Sequence, residues 1–255
     1  MKSIIVIPAR YGSTRFPGKS LARLLGRPMI QWVWEAASRS RLCDQVIVAT
    51  DDDRIADVAA KFGADVVMTK KSHLSGTDRV AEVADKVSAQ LYVNVQGDEP
   101  LLSPGAVDDL IRGMAESPRI PIGTLAHRID KAAEWQSPEV VKVVCNRHNE
   151  ALYFSRSPLP FMRAWNAKAR LLRHVGIYAY RANALATFVA LKPSALELAE
   201  SLEQLRALEH GMTIQVIETK YRCLGVDTPS DLARVEAALR RQGKAQPKSK
   251  TRRKK

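Results

Sequence analysis

Over its first hundred residues the chain alternates short apolar runs with segments of helical period, and no other feature of the 255 residues restricts the fold as much. IIVI (residues 4–7), VIVAT (46–50), ADVVMT (64–69) and LYVNVQ (91–96) read as buried strands, because each is a short apolar run bounded by turn residues. Between them, Met29, Ile30, Val33, Trp34 and Ala37 fall on one face of a helix that follows Pro28. A second helix, capped by Asp52 or Asp53, carries Ile55, Val58 and Ala59 and stops at Gly63. A third begins near Thr77 and Asp78 and carries Val80, Val83, Ala84 and Val87. Strand, helix, strand, helix, strand implies parallel strands with helices on both faces.

The second half is less regular. IPIGTLAHRI, EVVKVVCN, ALYFSRS and RHVGIYAYR are strand-like in succession, which predicts antiparallel pairing and hence a mixed sheet. Helices are expected over 181–191 and 197–210, then the strand TIQVIET, then a closing helix in DTPSDLARVEAALRRQ that starts at Thr-Pro. The whole reads as one α/β domain over residues 1–241, with a β-rich lobe within about 120–180 and a disordered basic tail over 242–255.

Charge bears on the choice of partner. The formal net charge is +13, but nine Lys or Arg and no Asp or Glu lie from Arg240 onward, leaving +4 for residues 1–239. A tail without apolar anchors is expected to be solvated, with non-specific contacts to RNA or acidic lipid. A dedicated RNA-binding protein would carry clustered aromatics in its folded part, whereas aromatics make up only 6% of the chain. No apolar run approaches the length of a membrane span, and the N-terminal apolar run ends at Pro8, unlike a secretion signal. Cys43, Cys145 and Cys223 show no metal or redox spacing. A reduced, cytoplasmic protein is expected.

The loop over residues 8–19, PARYGSTRFPGK, follows the first strand, and ligands of doubly wound sheets collect at strand carboxyl ends. Gly12 and Gly18 let backbone approach a ligand, Ser13 and Thr14 can donate to it, and Arg10, Arg15 and Lys19 carry charge suited to a polyphosphate. Neither a dinucleotide fingerprint nor a Walker loop is present. By itself the loop is equally readable as solvated surface. GDEP, at the end of LYVNVQ, decides between the two: Asp98 and Glu99 stand opposite the cations, where Mg²⁺ takes one or two carboxylates together with phosphate oxygens. Asp227 in GVDTP follows another strand-to-turn transition, and it is equally well placed to cap the last helix.

Eight stretches, in order, are similar to the motifs of the CMP-Kdo synthetase family, the 3-deoxy-manno-octulosonate cytidylyltransferases of lipopolysaccharide synthesis: IPARYGSTRFPGKSL, HLSGTDRVAEV, VNVQGDEP, VVKVV, ALYFSRSPLP, RHVGIYAYR, LELAESLEQLRALEHG and GVDTPSDLARV. The resemblance spans nearly all of residues 1–239. It implies a three-layer αβα nucleotidyltransferase fold resembling a glycosyltransferase-A domain, Mg²⁺ as cofactor, and a homodimer built through the β-rich lobe. The implied reaction joins CTP and the acidic eight-carbon sugar Kdo to give CMP-Kdo and pyrophosphate. Carried over by residue, Ala9, Arg10, Ser13, Arg15 and Lys19 would hold the nucleotide, with Ser75, Gly76 and Thr77 near the cytosine. Asp98 and Asp227 would bind the metal, with Glu99 behind them. Gln96, Arg156, His174, Tyr178, Glu203 and Gln204 would line the sugar-acid pocket. Arg79 reads alternatively as an exposed helix residue.

Two stretches depart from the family's pattern: FMRAWNAKAR follows the SRSPLP segment, and CLGVDTP carries Leu224 where a small residue is usual. The first bears on the choice among sugar acids, which leaves an 8-amino analogue of Kdo and sialic acid as alternative substrates.

Overall fold

In the computed structural model the described residues are 1–12, 16–164, 166, 169–222, 225–226 and 229–245. The strands are β1 (Ser3–Ala9), β2 (Arg23–Leu24), β3 (Arg27–Pro28), β4 (Gln45–Thr50), β5 (Asp65–Met68), β6 (Leu91–Asn94), β7 (Ile122–Arg128), β8 (Lys142–Cys145), β9 (Ala151–Ser155), β10 (Leu172–Arg181) and β11 (Ile214–Glu218). The helices are α1 (Met29–Ala37), α2 (Asp53–Lys61), α3 (Gly76–Lys86), α4 (Pro104–Glu116), α5 (Ala132–Gln136), α6 (Ala182–Ala190), α7 (Ala195–Glu200), α8 (Gln204–Glu209) and α9 (Pro229–Ala245).

Nine strands form one sheet in the order β11-β7-β10-β6-β1-β4-β5, with β8 added to β10 and β9 to β8. β1 is parallel to β4 and β6, β4 to β5 and β7 to β11, while β10 runs antiparallel to β6 and β7. Helices α1, α2 and α4 cover one face, where Ile30, Val33, Ile55, Val107 and Leu110 pack on Ile5, Ile7 and Val93. On the other face Val80 and Val83 of α3, Leu185 and Phe188 of α6 and Leu205 of α8 pack on Ile4, Val6 and Tyr92. Covered on both sides, β1 is buried along its whole length. This is the expected three-layer α/β arrangement with a mostly parallel mixed sheet. After β1 the chain winds outward through β4 and β5, then crosses back to β6 on the other flank of β1. That reversal opens a crevice at the carboxyl ends of β1 and β6.

Several expectations need correction. α4 has no counterpart in the sequence reading, because Gly105 and Gly113 interrupt its apolar face (Ala106, Val107, Leu110, Ile111, Met114). Both glycines are needed by packing: a Cβ on Gly105 would lie 2.4 Å from the Tyr221 ring, and one on Gly113 2.5 Å from Ile217. The single helix expected over 197–210 is two, α7 and α8, parted at Ser201 in the left-handed region (φ 53°). β5 is an edge strand with exposed ends rather than a buried one, since only β4 pairs with it. Within residues 120–180, β7 and β10 belong to the main sheet, and β8 and β9 extend beyond it. A small core of Ile129, Trp135, Val140 and Leu171 supports that extension. At the C-terminus α9 runs to Ala245, four residues into the segment expected to be disordered. Residues 246–255 lie outside the described residues.

Candidate active site

The loop leaving β1 returns through a tight turn. Gly18 sits in the left-handed region (φ 68°), its N–H donates to Tyr11 O at 2.9 Å, and a Cβ there would lie 3.2 Å from the Tyr11 ring. The Arg54 guanidinium lies 3.4 Å above that ring and pairs with Asp52 at 2.7 Å, so α2 braces the loop. A short 3₁₀ turn over Lys19–Leu21 then carries Lys19 inward. Its Nζ donates to Asp98 Oδ2 at 2.5 Å and to Val226 O at 2.8 Å, and the Val226 N–H donates to Asp98 O at 2.9 Å. Three distant segments thus meet at Asp98, which follows β6 in sequence. Gly97 permits the approach, since a Cβ there would lie 3.0 Å from Pro8 O.

Around this pair opens a cleft of about 260 Å³, to which Ala9, Arg10, Lys19, Gln96 and Asp98 contribute. The start of α3 forms the opposite wall through Ser75 and Gly76. Ser75 caps α3 in a reciprocal box: its Oγ accepts from Asp78 N at 3.1 Å, and Asp78 Oδ2 accepts from Ser75 N at 2.9 Å. A Cβ on Gly76 would stand 3.1 Å from the Pro8 ring, a tight contact, so glycine eases the close passage of α3 past the end of β1. Thr77 does not reach the cleft. It is buried, and its hydroxyl donates to Glu203 Oε2 at 2.7 Å.

Arg79, read from sequence as exposed, is 2% exposed. Its guanidinium donates to Asp51 Oδ2 (2.8 Å), Thr69 Oγ1 (2.7 Å) and Lys70 O (3.2 Å), tying α3 to the ends of β4 and β5. Burial of an arginine requires such partners, and sequence spacing did not reveal them. His73 also lines the cleft and meets Glu82 Oε2 at 2.6 Å. The Lys86 ammonium and the Lys70 N–H hold the Glu82 carboxyl down to about 2.

The residues assigned to a sugar acid gather on the α3 side of the sheet, except Arg156. β10 carries a bulge between Val175 and Tyr178 opposite β7. The buried Thr124 hydroxyl lies 2.9 Å from Ile177 O, 3.2 Å from Val175 O and 3.1 Å from His174 Nε2. Both carbonyls can only accept, so the hydroxyl proton goes to one of them and His174 Nε2 carries its own hydrogen. That leaves Nδ1 as an acceptor. Burial, seconded by the Arg173 charge, pushes His174 down to about 3, which keeps the ring neutral. Its ring meets Phe154 at 5.1 Å and Tyr178 at 5.4 Å, and Tyr178 stacks on Tyr180 at 5.9 Å.

Next to this aromatic row three buried polar atoms have no hydrogen-bond partner: Tyr178 Oη, Glu203 Oε1 and Gln204 Nε2. Burial raises the carboxyl pKa of Glu203 and, well above its ordinary value, the phenol pKa of Tyr178. Unpaired buried polar groups are costly, and each of these atoms keeps hydrogen-bonding capacity for a polar ligand. Gln96 reaches the group through Asn94, with Gln96 Nε2 donating to Asn94 Oδ1 at 3.3 Å. Arg156 stands apart, its guanidinium donating to Glu200 O (3.0 Å) and Pro138 O (3.3 Å). Asn94 and Thr124 were missed from sequence; the only signal was a polar residue inside an apolar strand.

Ser13, Arg15 and Asp227 lie outside the described residues. Among the described residues no three of His, Cys, Asp and Glu gather into a metal-binding group, and no helix is long and apolar enough to cross a membrane.

With this geometry in hand, the comparisons with known proteins agree with one another. The sequence profile of the cytidylyltransferases matches residues 4–214. The 3-deoxy-manno-octulosonate cytidylyltransferase of Geobacter sulfurreducens is 52% identical over 250 residues, covering 94% of this chain and all of the relative. A solved CMP:2-keto-3-deoxy-manno-octonic acid synthetase complexed with CTP superposes with a TM-score of 0.90 at 49% identity, over 95% of this chain and 100% of that one. A cytidylyltransferase from Leptospira borgpetersenii shares the fold, with a TM-score of 0.59 at 17% identity over 97% and 98% of the two chains.

Proposed function

The chain belongs to the cytidylyltransferase family, and from that premise we propose that it transfers the cytidylyl group of CTP to the anomeric hydroxyl of Kdo, giving CMP-Kdo and pyrophosphate. The sugar oxygen forms a bond to the α-phosphorus as the bond from that phosphorus to the β-phosphate oxygen breaks. A trianionic or tetraanionic nucleotide must meet an anionic sugar, so neutralisation and positioning are the main tasks. Arg10 and Lys19 supply positive charge at the end of β1, with Arg15 from the same loop. Ala9, Ser75 and Gly76 line the walls available to the base.

The observation that carries the reading is the Lys19–Asp98 pair in the cleft at the ends of β1 and β6, whose wall residue Gln96 leads through Asn94 and Thr77 to Glu203. One half suits a polyphosphate and the other a polyhydroxylated acid. In the second half the Nδ1 of His174 accepts from a hydroxyl, while Arg156 would have to leave Glu200 O and Pro138 O to offer its planar fork to a carboxylate.

Mg²⁺ belongs to the same proposal. The donor set fits it, since Asp98 is a hard oxygen ligand at a strand end and Val226, bonded to Asp98 through its backbone, immediately precedes Asp227 in the sequence. When bound by Asp98 and Asp227, the ion would neutralise phosphate charge and make the sugar hydroxyl more acidic. Lys19, paired with Asp98, holds that carboxylate in place and adds charge on the phosphate side.

A homodimer through the β8–β9 extension is part of the reading. β9 is paired only on its β8 side along most of its length, and Leu152 on it is 62% exposed, with Phe161 at 83% and Leu198 at 69%. A cytoplasmic role in lipopolysaccharide assembly follows from the activity, and the basic C-terminal residues are left to non-specific anionic contacts.

Pyrophosphate release tests the proposal, with Mg²⁺, CTP or ATP, and Kdo, its 8-amino analogue or sialic acid. Release with CTP and Kdo that vanishes with ATP is the expected result. Release only with the analogue would keep the chemistry and change the substrate, and release with none would refute the proposal.

A further inference from the structure

The resemblance that put Thr77 beside the cytosine conflicts with where its hydroxyl points. Ser75 and Gly76 line the nucleotide cleft, but Thr77 is 1% exposed and faces the other way, with Oγ1 2.7 Å from Glu203 Oε2. Behind it Asn94, also 1% exposed, places Nδ2 3.4 Å from Thr77 Oγ1 while its Oδ1 accepts from Gln96 Nε2 at 3.3 Å. Asn94 is held across the sheet opposite Tyr178. A polar row therefore runs Gln96, Asn94, Thr77, Glu203 from the wall of the nucleotide cleft to the unpaired group of Tyr178, Glu203 and Gln204.

The donor and acceptor logic gives this row a direction. Glu203 Oε2 can only accept when ionised, so Thr77 must donate to it, and its oxygen is then open to the Asn94 amide. With Oε2 occupied by Thr77, Glu203 Oε1 is left without a hydrogen-bond partner, 3.9 Å from the Arg206 guanidinium. We propose that Thr77, backed by Asn94, is a positioning residue of the sugar-acid subsite that fixes Glu203 as a hydrogen-bond acceptor for the acceptor substrate, and that it takes no part in reading the base. The inference rests on the sugar acid as acceptor and goes further by moving one residue from one subsite to the other.

The groups facing Glu203 are Ser75, Thr77 and Asp78 of the α3 start, Arg206 of α8 (3.9 Å), and Tyr178 and Tyr180 of β10. Burial already works against the charged carboxylate, and the Thr77 hydrogen bond opposes that effect. Removing the hydroxyl must therefore make Glu203 harder to ionise.

The test compares wild type, Thr77→Val and Thr77→Ser in two measurements: calorimetric titration with CTP alone, and steady-state pyrophosphate release at varied Kdo. Loss of a hydrogen bond to a charged group should raise KM for Kdo in Thr77→Val about tenfold or more, with CTP affinity within about twofold of wild type and Thr77→Ser restoring KM. The acid limb of kcat/KM for Kdo should move to higher pH in Thr77→Val, a shift that a loss of folding alone would not produce. Weakened CTP binding in Thr77→Val, or an unchanged KM for Kdo, overturns the assignment. If wild type releases no pyrophosphate with Kdo, the reading of the substrate fails, while the titration still judges Thr77: tenfold weaker CTP binding would return it to the nucleotide side, and unchanged binding would keep it away from the base. Thr77→Ala, judged by the same constants, replaces Thr77→Val if the valine variant does not fold.

Discussion

The cleft and the buried polar group joined to it through Gln96 and Asn94, the nucleotide and sugar halves of the proposed site, are built on opposite principles. In the nucleotide half the charged and polar groups are already paired: Lys19 with Asp98, Ser75 with Asp78, Arg79 with Asp51, His73 with Glu82. Such pairing sets the walls before a ligand arrives, and a triphosphate brings enough charge to be held by any remaining cation. In the sugar half Tyr178, Glu203 and Gln204 keep buried atoms without partners. A ligand that completes them gains the full difference between a satisfied and an orphaned group, and an analogue lacking a hydroxyl forfeits it. Under the proposed function the first half would serve affinity and the second discrimination.

The largest expected effect lies where the halves meet. Asp98→Asn should lower kcat about 10²–10³-fold, the usual cost of removing one preorganised electrostatic group, while CD and thermal melting report an intact fold. Normal turnover in saturating Mg²⁺ would remove Asp98 from the metal site. Lys19→Met sharpens the comparison from the nucleotide side. It should reduce kcat/KM for CTP by roughly a hundredfold with KM for Kdo nearly unchanged; an equal loss for both substrates would mean that the halves are not separable.

Tyr178→Phe probes the sugar half in the opposite sense. Deleting the unpaired phenol should leave the unliganded protein as stable or more so, with Tm equal or higher, yet raise KM for Kdo by about tenfold. A drop in Tm would mean that the hydroxyl has a structural partner after all. The smallest effect concerns pH. His174 is depressed from 6.5 to about 3 in the folded protein, so between those values the unfolded chain binds more protons. Its contribution is fully present above pH 6.5 and is lost as pH falls toward 3. Melting followed from pH 7 to 5 should show Tm falling, with a shallower fall in His174→Gln; identical slopes would argue against a buried neutral ring.

The alternation of apolar runs and helical period determined the strand–helix order of the first hundred residues, and the sequence alone located the cation loop and Asp98 at a strand end and narrowed the cap of α2 to Asp52 or Asp53. These features are local. A parallel strand covered on both faces must be an apolar run, and a ligand loop must follow it within a few residues. What sequence could not show depends on atoms far apart along the chain. Gly105 and Gly113 hid α4 because their reason lies in Tyr221 and Ile217. Arg79 looked exposed because Asp51 and Thr69 are visible only in three dimensions. The break at Ser201, which splits the expected helix and directs Glu203 and Gln204 to the sheet, leaves no periodic trace. Thr77 sits within a contiguous motif and yet serves a residue 126 positions away. Sequence periodicity reports whether a position faces the interior; which polar atom it meets there is decided by tertiary packing, since a buried hydroxyl goes to whichever acceptor the fold brings within reach.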